Sequence, residues 1–302
     1  MSVLDTIGNT PLARIDSLNP NPGVALYAKL EGANPGGSVK DRIALKMVNT
    51  AESEGKLHRD RIILEATSGN TGIGLAMVGA AKNYRVKLTM PACVSVERRR
   101  VLEAFGAELI LSPAEEGTDG AIRLAHKILA EDPGRYFMPN QFDNPANYLA
   151  HYEHTAVEIL EQTGGKITHF VAGMGTSGTL MGVSRRLKEH NRDIVIIGVE
   201  PVLGHRVQGL KNMSESIVPA IFEPGKLDER YIVNDEEAFD MTRRLALDEG
   251  LFCGMSSGAA LHVALRKCSE LQEGLVVVVL PDRGDRYLST SLFTSVCGKC
   301  PP

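Results

Sequence analysis

A lysine falls in the first turn of a helix that the sequence predicts to run from near residue 38 towards Ala51. Ser38 is the expected N-cap, and Asp41 would complete an imperfect capping box. Lys40 then carries its charge where the helix dipole disfavours a cation. A surface lysine that reaches water is one interpretation. The other is that a desolvated Lys40 has a lowered pKa and acts as an amine nucleophile or base, as Schiff-base chemistry requires.

Residues 65–72 lie between a predicted strand and a predicted helix and combine hydroxyls, an amide and glycines. Together with the free backbone N–H groups of a helix start, these side chains could bind a carboxylate or a phosphate. An ordinary strand-to-helix turn with Ser, Asn and Thr as capping residues explains the same composition. The residues alone leave both interpretations open.

Residues 173–179 match the pattern G-x-G-x-x-G, and acidic Glu200 follows at the spacing of a dinucleotide site. Taken alone, the motif predicts an NAD-binding oxidoreductase. The hydroxyls of Thr176, Ser177 and Thr179 also suit a compact phosphate monoester, which presents more oxygens than a pyrophosphate bridge. A fourth run, residues 253–259, opens another predicted helix and by itself indicates only a capped helix start.

The elements that would position these loops alternate regularly between strand and helix, which predicts an α/β fold with mostly parallel sheets. The predicted strands cover 24–30, 61–66, 85–90, 108–111, 169–172, 194–199 and 276–280, and the first predicted helices after them cover 71–82, 95–105 and 119–131. The pair Asn144-Pro145 interrupts the pattern and marks an expected domain boundary. Residues 204–226 lack periodicity and are predicted to form a loop.

The composition is that of a folded protein: 302 residues, 43% hydrophobic and 23% charged, with a net charge of −4. This balance argues against nucleic-acid and membrane partners. No apolar run reaches the about 18 to 20 residues of a membrane span, and no secretory signal is visible, so a cytoplasmic location is expected. The five cysteines predict no disulfide framework. Cys93, Cys253 and Cys268 are expected in the core, and the pair Cys297 and Cys300 is too small for a zinc site, so no metal is expected.

In order along the chain, the motifs resemble those of the fold-type II pyridoxal-phosphate enzymes and, among them, the cysteine synthases. The resemblance covers nearly the whole chain and rests on residues 6–12, 29–32, 37–42, 66–72, 175–179 and 286–290. It implies two domains, each a mostly parallel twisted sheet flanked by helices, as in the tryptophan synthase β subunit, with the active site in the cleft between them. The smaller domain is expected at 35–145, and the larger one at 1–34 and 146–302.

The resemblance also implies pyridoxal 5′-phosphate as cofactor and assigns a role to each motif. Lys40 would hold the cofactor as a Schiff base and transfer protons. The other cofactor-binding residues would be Asn70 at the phenolic oxygen, Gly175, Thr176, Ser177, Gly178 and Thr179 at the phosphate, and Ser256 at the pyridine nitrogen. The substrate carboxylate would be bound by Thr67, Ser68, Gly69, Thr71 and Gln141.

The implied reaction is replacement of the acetoxy group of O-acetyl-L-serine by sulfide in cysteine biosynthesis, through an aminoacrylate intermediate. The chain is most similar to the B form, which also accepts thiosulfate and gives S-sulfocysteine. Residues 97–100, the short loop after Pro201 and residues 282–286 carry that similarity, whereas Pro281 and the pair Lys211-Asn212 depart from it. A homodimer is implied. A serine or threonine dehydratase of the same fold is the alternative, with the NAD-binding oxidoreductase more remote.

Overall fold

The computed structural model describes residues 1–67, 69–94, 96–214 and 218–293 of the chain, with the backbone alone for Glu97. In these ranges the strands are β1 (Leu12–Arg14), β2 (Val24–Leu30), β3 (Ile62–Ala66), β4 (Val86–Pro91), β5 (Glu108–Ser112), β6 (Tyr136–Phe137), β7 (His169–Gly173), β8 (Val195–Pro201), β9 (Glu229–Val233) and β10 (Gly274–Leu280). The α-helices are α1 (Lys40–Ser53), α2 (Asn70–Lys82), α3 (Val96–Ala104), α4 (Gly117–Glu131), α5 (Pro145–Ala150), α6 (Ala156–Gln162), α7 (Gly178–His190), α8 (Asp235–Glu249) and α9 (Met255–Glu270), and a π-helix covers His151–Thr155. No helix of the described ranges is long and apolar enough to cross a membrane.

Contacts between Cα atoms divide the chain into two units. Unit 1 combines Met1–Gly8 with Asn34–Ala150, and unit 2 combines Asn9–Ala33 with the described part of His151–Pro302. The domain bounds expected from the sequence, with the smaller domain at 35–145, stay a prediction.

Unit 1 contains a four-stranded sheet in the order β5-β4-β3-β6, and every strand pair in it is parallel. The side chains of β3 are buried throughout, as expected for an inner strand of a parallel sheet that is covered on both faces. One core cluster joins α1 and α2 to the sheet, and a second joins α4 to Ile62, Leu64 and Ala66. Because the strands are parallel, their carboxyl ends lie at the same edge of this packed sheet.

Unit 2 contains a six-stranded sheet in the order β1-β2-β10-β7-β8-β9. Only the β1–β2 pair of this sheet is antiparallel. The run Val276–Leu280 of the inner strand β10 is almost completely buried. Helix α9 packs against α8 at Gly258, where a Cβ atom would lie 2.1 Å from the Ala238 carbonyl oxygen, so that only glycine permits this approach.

The α/β class with mostly parallel sheets is confirmed, and each predicted strand and helix is present within a few residues of its expected bounds. The sequence did not predict the strands β1, β6 and β9 or the helices α5, α6 and α8. The strands β1 and β6 have only three and two residues, which is too short for a periodic pattern. The start of helix α8 could have been predicted from the sequence, because Asn234 and Glu237 form a complete capping box there.

Candidate active site

Lys40 is the first residue of α1, and its side chain is partly buried. The expected capping box is wrong, because the N-cap residue is Val39. The apolar side chain of Val39 cannot accept a hydrogen bond from the helix N–H groups. The Ser38 hydroxyl accepts the Lys40 backbone N–H at 3.2 Å, while the Asp41 carboxylate turns back to the N–H of Gly36 at 2.6 Å. Two local bonds therefore fix the turn before α1 and hold Lys40 at the helix start.

Asn70 begins α2 as Lys40 begins α1, and the two helices pack together in unit 1. At Gly74 a Cβ atom would lie 3.0 Å from the Lys40 carbonyl oxygen, tighter than ordinary packing. This approach sets the beginning of α1 against the first turns of α2. The structure thus places the predicted lysine next to the helix that starts with the predicted asparagine.

The loop between β3 and α2 positions the residues expected to bind a carboxylate. The N–H of Thr67 donates to the Thr89 carbonyl at 3.0 Å, and the Thr67 hydroxyl accepts the N–H of Gly69 at 3.3 Å. The buried Thr71 hydroxyl donates to Oε1 of Gln141 at 2.6 Å. Thr67, Gly69, Thr71 and Gln141 are therefore held in one place, whereas Ser68 lies outside the described residues.

A second loop, after β6, brings Gln141 to this site. The Asn147 side-chain amide donates to the Gln141 carbonyl at 2.7 Å, and Asn140 has a left-handed backbone with φ 52°. The N–H of Asn140 donates to the buried carboxyl of Glu65 at 2.8 Å. Burial raises the pKa of Glu65 to about 8, while the N–H groups that bond the carboxyl act in the opposite direction. The sequence analysis included Glu65 in the run 65–72 but assigned it no role, although a charged residue at the end of an apolar strand was a visible signal.

In unit 2, the loop between β7 and α7 forms a site for an anion. Ser177 stands at the N-cap with a left-handed backbone, φ 66°. Its Oγ is buried and has no hydrogen-bond partner among the described residues. The first turn of α7 adds backbone N–H groups that lack partners within the helix. A buried hydroxyl and free N–H groups at one helix start match the oxygens of a phosphate group.

Ser256 is the second residue of α9 and is buried. Gly209, in the loop after β8, lies between Ser256 and the α7 loop. A Cβ atom at Gly175 would lie 2.6 Å from the Gly209 carbonyl oxygen, and one at Gly209 would lie 3.8 Å from Ser256 Oγ. The predicted phosphate loop and the predicted partner of the pyridine nitrogen therefore meet around one glycine within unit 2.

The model of a family described as "Pyridoxal-phosphate dependent enzyme" matches residues 3–282 of this chain. The chain is 46% identical to cysteine synthase B of Escherichia coli over 97% of its own length and 96% of that protein, and 46% identical to cysteine synthase of Aquifex aeolicus over 97% and 92%. The chain belongs to the pyridoxal-phosphate dependent enzymes.

Solved structures of this family agree with the comparison. Cysteine synthase from Entamoeba histolytica has a TM-score of 0.92 at 41% identity and covers 96% of this chain and 90% of that one. O-ureido-L-serine synthase has a TM-score of 0.94 at 40% identity, covering 99% and 96%. Within the pyridoxal-phosphate dependent enzymes, this chain groups with the cysteine synthases of fold type II, and the resemblance stated from its motifs is confirmed.

The residues present fit the cofactor of this family. The unpartnered hydroxyl of Ser177 needs an acceptor, and a phosphate oxygen at the start of α7 supplies one. Gly175 has no Cβ atom, which would clash with the Gly209 carbonyl oxygen. Only glycine therefore fits at this position of the phosphate loop. The roles of the individual cofactor and substrate residues stay predictions.

His151, which lies at the phosphate loop, was not indicated by any sequence pattern. It is completely buried in the π-helix, a geometry that often marks functional sites. One ring nitrogen bonds the Thr155 hydroxyl at 2.9 Å, and Nε2 lies 3.4 Å from the Thr179 hydroxyl. His151 therefore orients one of the hydroxyls expected to bind phosphate.

The structure argues against a dinucleotide site, because its expected acidic residue, Glu200, is bonded to other groups of the protein. Glu200 is buried and forms an ion pair with Arg230, at 2.5 Å from Nε to Oε1. Its Oε2 also accepts the N–H of Met213 at 3.1 Å. Because the carboxylate is already bonded on both oxygens, Glu200 anchors the loop after β8 and is not available to a ribose.

Thiol chemistry has little support in the site. Burial raises the pKa of Cys253 to about 12 and that of Cys268 to about 11, so both are protonated thiols of the core, as expected. The expectation for Cys93 is wrong: it is exposed, in a turn after β4. Cys297 and Cys300 lie outside the described residues. No cluster of His, Cys, Asp or Glu in the part of the chain that the structure describes could hold a metal ion.

Proposed function

We propose that this protein is a cysteine synthase, a transferase that replaces the acetoxy group of O-acetyl-L-serine with a sulfur nucleophile and releases acetate. Hydrosulfide gives L-cysteine, and thiosulfate gives S-sulfocysteine. The observation that carries the proposal is the bond between Thr71 and Gln141 beside the start of α2, because it builds a polar site for an amino acid in the unit that contains Lys40.

When bound, pyridoxal phosphate withdraws electrons from the Cα atom of an attached amino acid, so that the α-proton becomes acidic and the β-substituent can leave. Lys40 would hold the cofactor through Nζ before the substrate enters. Its released amine then takes the α-proton as a general base and returns a proton after sulfur has added. A single residue therefore serves both half-reactions.

The remaining cofactor contacts follow from the chemistry of each side chain. Residues 175–179 would bind the phosphate, and the Asn70 amide would donate to the phenolic oxygen. Ser256 would face the pyridine nitrogen with a neutral hydroxyl. Because a hydroxyl, unlike a carboxylate, does not keep that nitrogen protonated, electron withdrawal is weaker and prompt loss of the acetoxy group is favoured.

The substrate carboxylate would lie on the loop before α2. Thr67 and Ser68 offer hydroxyls, and Gly69 and Thr71 lie at the start of α2, where the helix N-terminus favours an anion. The amide of Gln141 donates from the opposite side, since its Oε1 already accepts the Thr71 hydroxyl. This arrangement orients the amino acid and keeps water from the reacting atoms.

Use of thiosulfate requires positive charge near the nucleophile. Arg206 is a weak candidate, because its side chain is 66% exposed and its Nε lies 3.0 Å from Oδ2 of Asp235. Lys211 is the better one, since its N–H donates to the carbonyl of Met174, next to the phosphate loop. We assign to Lys211 the attraction of the doubly charged donor, although it departs from the B-form pattern.

The same family resemblance supports a homodimer that works in the cytoplasm. Light scattering of the purified enzyme measures its mass directly. A mass twice that of the 32.6 kDa chain is the expected result, and the mass of a single chain would contradict the dimer.

The deciding experiment supplies the purified enzyme with O-acetyl-L-serine and either sulfide or thiosulfate, and measures L-cysteine and S-sulfocysteine by mass spectrometry. Rapid formation of L-cysteine is expected. Formation of pyruvate from L-serine without any sulfur product would establish the dehydratase alternative. Turnover of sulfide with no S-sulfocysteine would refute the thiosulfate assignment and leave the cysteine synthase assignment intact.

A further inference from the structure

Glu65 is a buried carboxyl group for which the proposed reaction has no use. It is only 3% exposed and lies in β3, where every other side chain is apolar. Burial of such a group is costly unless hydrogen bonds compensate for the lost water. Its presence in this strand therefore requires a structural or functional reason.

The carboxyl of Glu65 is bonded to a loop that is distant in sequence. Its Oε2 accepts the N–H of Asn140 at 2.8 Å, and the N–H groups of Gln141 and Ala66 also bond to it. Asn140 adopts a left-handed backbone, which asparagine tolerates better than most residues. The residue type therefore permits the turn, and the carboxyl bonds the N–H groups of its two consecutive residues, Asn140 and Gln141.

This turn determines where Gln141 points. The Gln141 side chain meets the Thr71 hydroxyl at 2.6 Å, and Thr71 is the second residue of α2, the helix that follows β3. We propose that Glu65 is a positioning residue, which holds the peptide N–H groups of Asn140 and Gln141 and thereby sets the Gln141 amide for the carboxylate of the substrate. The inference rests on the proposed function of Gln141 and extends it to a residue that does not touch the substrate.

The space beside Glu65 supports positioning rather than a second ligand site. A cavity of about 20 Å³ is lined by Glu65, Asn140 and His126, together with apolar residues. That volume is about what one water molecule needs and far below the several hundred Å³ of an ordinary ligand pocket. The carboxyl therefore acts through the loop that it bonds.

A graded pair of variants tests the role. Glu65→Gln keeps one carbonyl oxygen as acceptor but turns an NH₂ group towards a backbone N–H, whereas Glu65→Ala leaves every N–H unpaired. We expect KM for O-acetyl-L-serine to rise about tenfold in Glu65→Ala and less in Glu65→Gln, with kcat within about twofold and KM for sulfide unchanged. Glu52→Gln is the matched control, because Glu52 lies on α1 and accepts bonds from Lys82 and Tyr84, away from the 140–141 turn. This variant should leave both constants unchanged.

Hydrogen exchange of the substrate-free enzyme, followed by mass spectrometry on peptides covering 138–147, gives a readout that needs no turnover. Faster exchange at Asn140 and Gln141 in both Glu65 variants, and not in Glu52→Gln, is the expected result. Unchanged exchange, or an equal loss in kcat and kcat/KM with KM constant, would overturn the positioning role. If Glu65→Ala does not fold, Glu65→Gln decides. If wild-type enzyme does not use O-acetyl-L-serine, the proposed function fails, while the exchange result still decides whether Glu65 holds the loop.

Discussion

The hydroxyl of Thr71 and the side-chain oxygen of Gln141 are 2.6 Å apart, although the two residues are 70 positions apart in the chain. Both side chains are buried, so neither group has water as an alternative partner. The bond consumes the acceptor of Gln141 and leaves its NH₂ group to donate. Gln141 is therefore prepared to bind an anion.

Replacing Thr71 by Val removes this bond and leaves Oε1 of Gln141 unpaired. A lost buried hydrogen bond costs about 1 to 3 kcal/mol, which corresponds to about five- to 150-fold in affinity. We expect KM for O-acetyl-L-serine to rise within that range in steady-state assays. Thr71→Ser, which keeps the hydroxyl, should stay close to the wild type. An equal loss in both variants would contradict the role of the hydroxyl.

Lys40→Ala should remove turnover while the fold is retained. General acid–base catalysis alone contributes about 10²- to 10⁴-fold, and here the same residue also holds the cofactor. Product formation and the visible absorption of the purified enzyme measure the two losses, and circular dichroism checks the fold. Lys46→Ala on the same helix is the control and should keep both. Normal turnover of O-acetyl-L-serine by Lys40→Ala would show that the assignment is wrong.

Ser177→Gly separates cofactor binding from folding. Glycine suits the left-handed backbone at φ 66°, so the apoenzyme should be no less stable in thermal unfolding. Loss of a hydrogen bond to a charged phosphate costs about 1.5 to 3 kcal/mol, so Kd for pyridoxal phosphate should rise about ten- to 150-fold. Ser184→Ala, at a buried serine on the same helix, should leave the Kd unchanged. An unchanged Kd in Ser177→Gly would exclude a phosphate contact.

The raised pKa of Glu65 makes a prediction about stability and pH. In the folded state its pKa is about 8, against an ordinary value of 4.5, because burial disfavours the ionised form. Between these values the folded state binds more proton than the unfolded state, so the contribution of Glu65 to stability falls as the pH rises. The melting temperature of the wild-type apoenzyme should therefore fall relative to Glu65→Gln between pH 5.5 and 8.5.

Glu52 provides the contrasting control for this experiment. Bonds to Lys82 and Tyr84 and the nearby positive charges outweigh the effect of burial and lower the pKa of Glu52. Its stabilising effect is therefore present above pH 4.5 and is lost only at lower pH. The difference between wild type and Glu52→Gln should stay constant from pH 5.5 to 8.5. A constant difference for Glu65→Gln as well would contradict its raised pKa.

Lys211→Ala should discriminate between the two sulfur donors. A charge-assisted contact contributes about 1.5 to 3 kcal/mol, so kcat/KM for thiosulfate should fall about ten- to 150-fold, with a smaller loss for sulfide. Arg206→Ala is the comparison, and it should change little because Asp235 already neutralises that guanidinium. Equal losses for both donors in Lys211→Ala would rule out selection by charge.

The sequence by itself determined the local framework of this protein. Caps, glycines and short apolar runs depend on neighbours within a few residues, so the starts of α2, α7 and α9 and most of the strands could be predicted. The order of the sequence motifs along the chain also indicated the family to which the protein belongs. Two predictions from local sequence were wrong. Asp41 binds the N–H of Gly36 rather than capping the helix. Cys93 was expected in the core but lies exposed in a turn.

Tertiary structure alone decided how distant residues meet. Glu65 bonds Asn140 across 75 positions, and His151 approaches Thr179 only because a π-helix turns it towards the phosphate loop. Glu200 could be interpreted as a ribose ligand until Arg230 proved to be its partner. No periodicity encodes such pairs, because each depends on how a complete sheet and its helices pack around buried groups. The sequence therefore determined which groups carry the chemistry, and packing determined which of them meet.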